Sequence, residues 1–307
     1  MAVGGTDIGI GEGRGPGRPE GASERLADAI SPAPPLVDAA WCLAHLDHPG
    51  VRFVEVDDRP GRSRPRIPGS IAWAWDTDLC DPIRRDVAGP AQLSALLARS
   101  GIGPRTHVVL YGDPGNWFAA WAFWLLRLHG VQRVSLVDGG RTYWAGNGYP
   151  VAAQPGTTPA PQQASFPLAP PSRAHRAFRD DVMAAIGDPD VVLVDARSPR
   201  EYSGELIAPP GSLEGAQRGG HIPGAISVPW NLAVTEAGTF KPRDQLIELY
   251  RRAGVGPEHR VITYCRIGER SSHSWFVLHE LLGYPRVQNY DGSWSEWGSS
   301  IGLPIEH

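Results

Sequence analysis

Sulfur is scarce in this chain: its 307 residues include three cysteines and two methionines. Cys42, Cys80 and Cys265 form an odd, sparse set. That argues against a disulfide framework and makes a reducing cytoplasm the expected setting. Long apolar runs are absent too. No stretch approaches the ~18 residues that span a bilayer, so no membrane association is expected. The opening segment, MAVGGTDIGIGEGRGPGRPEG, lacks the charged-then-apolar order of a secretory signal. Residues 1–33 read as a disordered, Gly-rich tail. Positive charge is not in excess. The 29 Lys and Arg stand against 33 Asp and Glu, a net charge of −4, which leaves no basic footprint for nucleic acid. Neither a Cys/His cluster with metal-ligand spacing nor a Gly-rich nucleotide loop in proper context is present. No metal and no cofactor are expected. What the chain has is an apolar fraction of 41%, enough for a core in each of roughly two domains.

The chain repeats itself. At a constant offset of 153, Gly101 falls on Gly254, Pro104 on Pro257, Tyr111 on Tyr264, Gly115 on Gly268 and Phe123 on Phe276. Gly130, Asp138 and Trp144 fall on Gly283, Asp291 and Trp297 in the same register. Upstream, Pro68-Gly69 parallels Pro223-Gly224, and Asp57 parallels Asp195. The offset changes from 138 to 155 between these landmarks, so the second repeat carries a 17-residue insertion near 200–219. A Pro-, Ala- and Gln-rich segment over 151–172 reads as a linker. The expected domains are 34–150 and 173–307. Apolar runs such as VVLVD, RVITYC and RVQNY alternate with helical patterns such as DQLIELYRRAG and SSHSWFVLHELLG. This alternation predicts an α/β fold, with a mostly parallel central sheet in each domain covered by helices on both faces. Ligands in such sheets sit beyond the carboxyl ends of the strands.

Cys265 lies there, in VITY-CRIGER-SSHSWFVLHELLG. The run reads as a buried strand, a six-residue loop and a helix. Backbone N–H groups of the loop can form an anion nest, and Gly268 permits the angles this needs. The following helix offers unpaired N–H groups and the positive end of its dipole. Arg266 and Arg270 add two cations. Together these predict a Cys265 that is largely thiolate near neutral pH. Cys42, on the helical pattern DAAWCLAHL, and Cys80, beside Asp81, have no cationic neighbourhood and read as small packed residues.

CRIGER followed by SSHSWF, with HIPGA, DARSPREYSG and the closing DGSWSEWG, resembles the tandem-domain thiosulfate sulfurtransferases, the rhodaneses. The resemblance covers about 34–305. It implies two rhodanese-like domains, with the active cysteine only in the second. It also implies a ping-pong transfer of sulfur from thiosulfate to cyanide or another thiophilic acceptor. Sulfite leaves first, a persulfide remains on Cys265, and the acceptor then takes the outer sulfur. The loop residues Arg266, Ile267, Gly268, Glu269 and Arg270 become candidate donor contacts.

In the first repeat, Gly112, Asp113 and Trp117 stand opposite Cys265, Arg266 and Arg270. Nucleophile and cations are missing together, so that domain is expected to cover one side of the pocket. Trp75, just after PGS, is a candidate pocket residue, with core packing as the even alternative. Some family members carry a lysine where Ile267 stands, and an arginine where Glu201 stands. Arg200 and Arg197 are therefore further candidate donor cations. Arg197 could equally tie the loop through charge-assisted hydrogen bonds, with Asp195 holding the same loop. His221 is expected to pack and hydrogen-bond, and His273 to be structural or at the rim.

Three rival readings are open. A 3-mercaptopyruvate sulfurtransferase shares the fold and persulfide but typically has a neutral loop. Two nearby arginines at an effective dielectric of about 20 favour a dianion by roughly a few kcal/mol. A dual-specificity phosphatase of the related type needs Cys-x5-Arg, whereas only four residues separate Cys265 from Arg270. A non-catalytic docking module would usually lack the cysteine.

Overall fold

The computed structural model describes residues 1–2, 4, 33–58, 64–112, 115–154, 156, 166–212 and 214–307. Asp113, most of the 1–33 tail and the 157–165 stretch of the linker lie outside the described residues.

Two parallel sheets form from the β-branched runs. The first holds β1 (Leu36–Val37), β2 (Val51–Asp57), β3 (Ile71–Ala74), β4 (His107–Tyr111) and β5 (Val134–Val137), in the order β1-β5-β4-β2-β3. The second holds β6 (Val191–Asp195), β7 (Ile226–Ser227), β8 (Arg260–Tyr264) and β9 (Val287–Asn289), in the order β7-β6-β8-β9. Every pairing within both sheets is parallel. Around the first lie α1 (Ala39–Ala44), α2 (Trp75–Asp78), α3 (Pro90–Arg99), α4 (Trp117–Leu128) and α5 (Gly140–Gly146). Around the second lie α6 (Arg179–Ala185), α7 (Pro199–Tyr202), α8 (Arg243–Arg252), α9 (Glu269–Phe276) and α10 (Ser293–Trp297). The central strands β4 and β8 are almost wholly buried, as a parallel sheet flanked by helices requires.

The repeat is structural as well as sequential. The strand orders superimpose when β2, β3, β4 and β5 are matched to β6, β7, β8 and β9. Where the first sheet adds β1, the second has a single parallel bridge from Arg176 to Asn289. Tyr111 and Tyr264, counterparts at the ends of the central strands, do the same work. Their buried hydroxyls accept from the backbone N–H of Ile67 and of Ile222, each at 3.2 Å.

The two halves join through counterpart helices. Phe123 of α4 meets Phe276 of α9 edge-on, with centroids 4.9 Å apart. Arg127 donates from Nε to Glu280 Oε1 at 3.1 Å, a pair 153 residues apart. The Arg270 guanidinium lies 5.8 Å from the Trp117 ring centroid. Each pair unites a residue with its own repeat counterpart, in order along α4 and along α9 with the π-helical turn Val277–Leu281 that continues it. The helices therefore run side by side in the same direction, with an approximate twofold axis between them. Both N-termini point to the same end of the molecule. That end receives the loop after β8 and its counterpart after β4.

Candidate functional site

Cys265 follows the last residue of β8 and is fully buried. Only Arg266, Ile267 and Gly268 separate it from α9, which starts at Glu269. The helix thus begins two residues earlier than the sequence pattern suggests. Glu269 and Arg270 project from its first turn and not from a loop. Gly268 has φ +98°, a region that L side chains rarely adopt. Its N–H lies 3.2 Å from Cys265 Sγ. Its carbonyl accepts from the hydroxyls of Ser271 and Ser272 at 3.1 and 2.8 Å. The loop backbone is tied down on its other side. Cys265 N donates to Ser293 Oγ, while Trp294 N and Ser295 N donate to the carbonyls of Cys265 and Arg266.

A Cβ on Gly268 would lie 2.9 Å from Asp291 Cα. Gly268→Ala combines this clash with a strained φ, at a cost on the order of 1–3 kcal/mol. The expected outcome is a lower Tm and loss of the N–H contact to sulfur. Thermal unfolding together with the rate of sulfur uptake checks both.

The thiol itself departs from expectation. Burial pushes the Cys265 pKa up, and the neighbouring Glu269 carboxylate pushes it further; Arg270 and Ser271 pull the other way without prevailing. Cys265 Sγ stands 3.2 Å from Glu269 Oε2, in position to donate, so burial and this carboxylate both oppose the thiolate anticipated from the loop's cations.

Those cations are largely offset. Arg270 is buried and forks onto Glu201, Nη1 to Oε2 at 2.8 Å and Nη2 to Oε1 at 2.9 Å. Glu201 is held in turn by Ser198 N and Oγ, in a capping box that starts α7. The pairing with Arg270 lowers the Glu201 pKa from the usual 4.5 to about 2, against the opposing effect of burial. Arg266 reaches Glu269 Oε1 with Nη2 at 3.7 Å, too far for a hydrogen bond. Among the described residues its Nε has no hydrogen-bond partner, nor has Glu269 Oε1. Two arginines therefore face two carboxylates. The charge argument for a dianionic donor loses most of its force, and Arg266 is the cation with donors to spare.

A cavity of about 210 Å³ lies over this floor. It is lined by Asp58, Trp117 and Phe118 from the first domain, by 209–212 from the insertion, and by Arg266, Ile267, Glu269 and Arg270. Both repeats and the insertion thus build one site. Trp117 is fixed edge-on against Trp230, with centroids 5.0 Å apart.

Other candidates fall outside it. Arg200 points to solvent and pairs with Glu205 at 2.8 Å. The capping box turns the adjacent Glu201 inward instead. Arg197 is buried and clamps Asp195 through Nε and Nη2, donates to Gly220 O, and stacks over Trp294. It ties the loop after β6 and does not reach the cavity. Trp75 packs among Phe118, Trp121 and Arg85 in the core of the first domain and does not line the cavity. His221 stacks on Tyr202 and lies within hydrogen-bond distance of its carbonyl. His273 is buried against Phe240 and Trp230, and burial lowers its pKa to about 3. Burial raises the Cys42 and Cys80 thiols to about 12.

Sequence reasoning missed Trp117 and Phe118 as pocket residues and Glu201 as the partner of Arg270. The Trp117 counterpart relation to Arg270 was readable, as was the S-x-x-E capping pattern at Ser198–Glu201. Neither tells which residue lies across the cavity.

Comparisons with known proteins agree with this architecture. The family model described as "Rhodanese-like domain" matches twice, over 38–147 and 178–300. A Mycobacterium bovis protein named "Putative thiosulfate sulfurtransferase 1" is 49% identical over 273 residues, covering 88% of this chain and 97% of that protein. A Thermus thermophilus protein named "Sulfur carrier protein TtuD" is 46% identical over 275 residues, covering 88% and 95%. Among solved structures, the anaerobic ergothioneine biosynthesis enzyme from Chlorobium limicola, in complex with trimethyl histidine, is similar with a TM-score of 0.76. It is 25% identical, over 89% of this chain and 70% of that one. A variant of EanB described as carrying a cysteine persulfide, in a tetrahedral intermediate state with ergothioneine, gives a TM-score of 0.77, also at 25% identity with 89% and 70% coverage.

Proposed function

The chain belongs to the rhodanese family, and from that premise we propose that it moves sulfane sulfur from thiosulfate to a thiophilic acceptor through a persulfide on Cys265. One observation carries this reading. The sulfur sits at the carboxyl end of a central strand, against the Gly268 N–H at the start of α9, and its neighbours Arg266, Ile267, Glu269 and Arg270 line a cavity built by both domains. The counterpart position in the first repeat is Gly112, with no nucleophile. Arg266, whose Nε has no partner among the described residues, supplies the charge for the sulfonate end of the donor. Arg270 holds the floor of the cavity through Glu201. The three-residue gap between Cys265 and α9 disfavours a phosphatase, because a phosphate monoester needs a loop that surrounds phosphorus.

Cyanide serves as the assay acceptor. The name of the Thermus relative, a sulfur carrier protein, makes a thiol or a protein the physiological counterpart in this proposal. A reducing compartment such as the cytoplasm belongs to the same reading, since all three cysteines are free thiols.

The charge balance of the floor favours a second donor, 3-mercaptopyruvate, whose single carboxylate needs only one cation such as Arg266. Comparing kcat/KM for the two donors decides between them. Thiosulfate is expected to be preferred; a strong preference for mercaptopyruvate would overturn the choice of donor and keep the persulfide. Replacing the two bystander thiols, Cys42→Ala with Cys80→Ala, is expected to leave sulfur loading unchanged, as read by the mass of the loaded protein.

A further inference from the structure

The floor of the cavity holds a second ionisable group in contact with the reacting atom. Glu269 is buried on the first turn of α9, and its Oε2 accepts from Cys265 Sγ at 3.2 Å. Its Oε1 has no hydrogen-bond partner among the described residues. It faces Arg266 Nη2 at 3.7 Å and Arg270 Nε at 3.6 Å. Arg270 spends both terminal nitrogens on Glu201, so Glu269 is not its main partner. The remaining charged neighbours are accounted for. Glu201 on α7 stands behind Arg270. Asp58 lines the cavity from the end of β2. Asp291, after β9, is held by Arg176. His273, one turn along α9, is neutral at ordinary pH because burial lowers its pKa to about 3.

A permanent thiolate beside a buried carboxylate would set two anions against each other. A thiol beside that carboxylate instead forms a pair that can pass one proton across the 3.2 Å contact. We propose that Glu269 is the catalytic proton acceptor for Cys265, and that the pair keeps the same single proton through the whole sulfur-transfer cycle. This rests on Cys265 being the sulfur carrier.

The Cys265 proton passes to Glu269, leaving a thiolate and a carboxylic acid. The thiolate attacks the outer sulfur of thiosulfate, forming a new S–S bond. The old bond to the sulfonate sulfur breaks, and sulfite leaves with the electron pair. Glu269, now neutral, is a donor beside the persulfide anion and no longer repels it. In the second half, cyanide attacks the outer sulfur and the cysteine sulfur leaves as thiolate. The proton returns to it from Glu269. Thiosulfate and cyanide become sulfite and thiocyanate with no net proton taken up or released. Glu269 therefore replaces a standing low thiol pKa with a local proton transfer.

The test is the pH dependence of single-turnover sulfur uptake from thiosulfate, followed by intact mass. It compares the wild type, Glu269→Gln and Glu269→Asp over about pH 6 to 9, the window between ordinary carboxyl and thiol ionisation. The wild-type rate should be flat, because the pair holds one proton throughout. Glu269→Gln should be slower at neutral pH by about 100-fold, within the range ascribed to positioned acid–base groups. Its rate should climb about tenfold per pH unit until the thiol ionises. Glu269→Asp should recover part of the flat profile. A Glu269→Gln protein that keeps the flat profile overturns the proposal. So does one that loads faster than wild type at neutral pH, as removal of a merely repelling charge would produce. A wild type that takes no sulfur at all sinks the Cys265 reading, and Glu269 with it; loading by the wild type with an unaltered Gln profile sinks Glu269 alone.

Discussion

Replacing Cys265 by serine is expected to lower thiosulfate-to-cyanide sulfur transfer by about four orders of magnitude or more, as when a covalent nucleophile is deleted. The loss should be chemical and not structural. Serine is nearly isosteric, and its hydroxyl can replace the thiol both against Glu269 Oε2 and against the Gly268 N–H. The Ser293 hydroxyl that anchors the backbone of residue 265 is untouched. Serine cannot carry sulfane sulfur, so no part of the proposed ping-pong cycle survives. Neither Cys42 nor Cys80 can substitute. Both are buried, with thiols raised to about 12. Coincident unfolding curves for the two proteins, beside absent turnover, would establish the point. Residual turnover within tenfold of wild type would mean that sulfur moves without this residue.

The second large effect concerns Arg270. Arg270→Ala strands the Glu201 carboxylate, which is buried and receives two hydrogen bonds from that guanidinium. Breaking a buried pair from one side costs about 3–5 kcal/mol, because the remaining charge stays desolvated. The sign of the pH dependence should change as well. In the wild type the folded-state pKa of Glu201 is depressed from 4.5 to about 2. Its contribution is therefore fully present above pH 4.5 and is lost as pH falls toward 2. In Arg270→Ala, burial, the largest single cause, is opposed by the two Ser198 hydrogen bonds and no longer by the guanidinium, so that pKa rises. The variant should then gain stability relative to its own neutral-pH value as Glu201 protonates on acidification. Arg270→Lys keeps the charge without the fork and should fall between the two. Denaturant unfolding at a series of pH values measures this directly. Equal losses of stability for wild type and Arg270→Ala across the acid range would contradict the assigned pairing.

Much of this architecture was legible because it repeats. The 153-residue offset aligned Phe123 with Phe276 and Trp117 with Arg270, and these counterparts meet in space across the α4–α9 contact. Strand ends were marked by Asp195 and Tyr264, which pair in register at the carboxyl edge of the sheet. The position of Cys265 followed from that edge. What could not be read was how charges settle. Arg270 meets a carboxylate 69 residues away, and no local pattern joins the two. The upward push on the thiol's pKa could not be read, because cations are visible in sequence and burial is not. Arg200 and Glu201 illustrate the finest case. One residue of helical register, set by the Ser198 cap, sends the acid inward and the base to solvent. The insertion was visible as extra length, but not its placement of 209–212 over the cavity.

The most direct measurement of the central claim is intact mass after brief exposure of the reduced protein to thiosulfate. A gain of one sulfur atom, about 32 Da, is expected. Peptide mapping should place it on Cys265, and cyanide should remove it. An unchanged mass, or a gain on Cys42 or Cys80, would contradict the account.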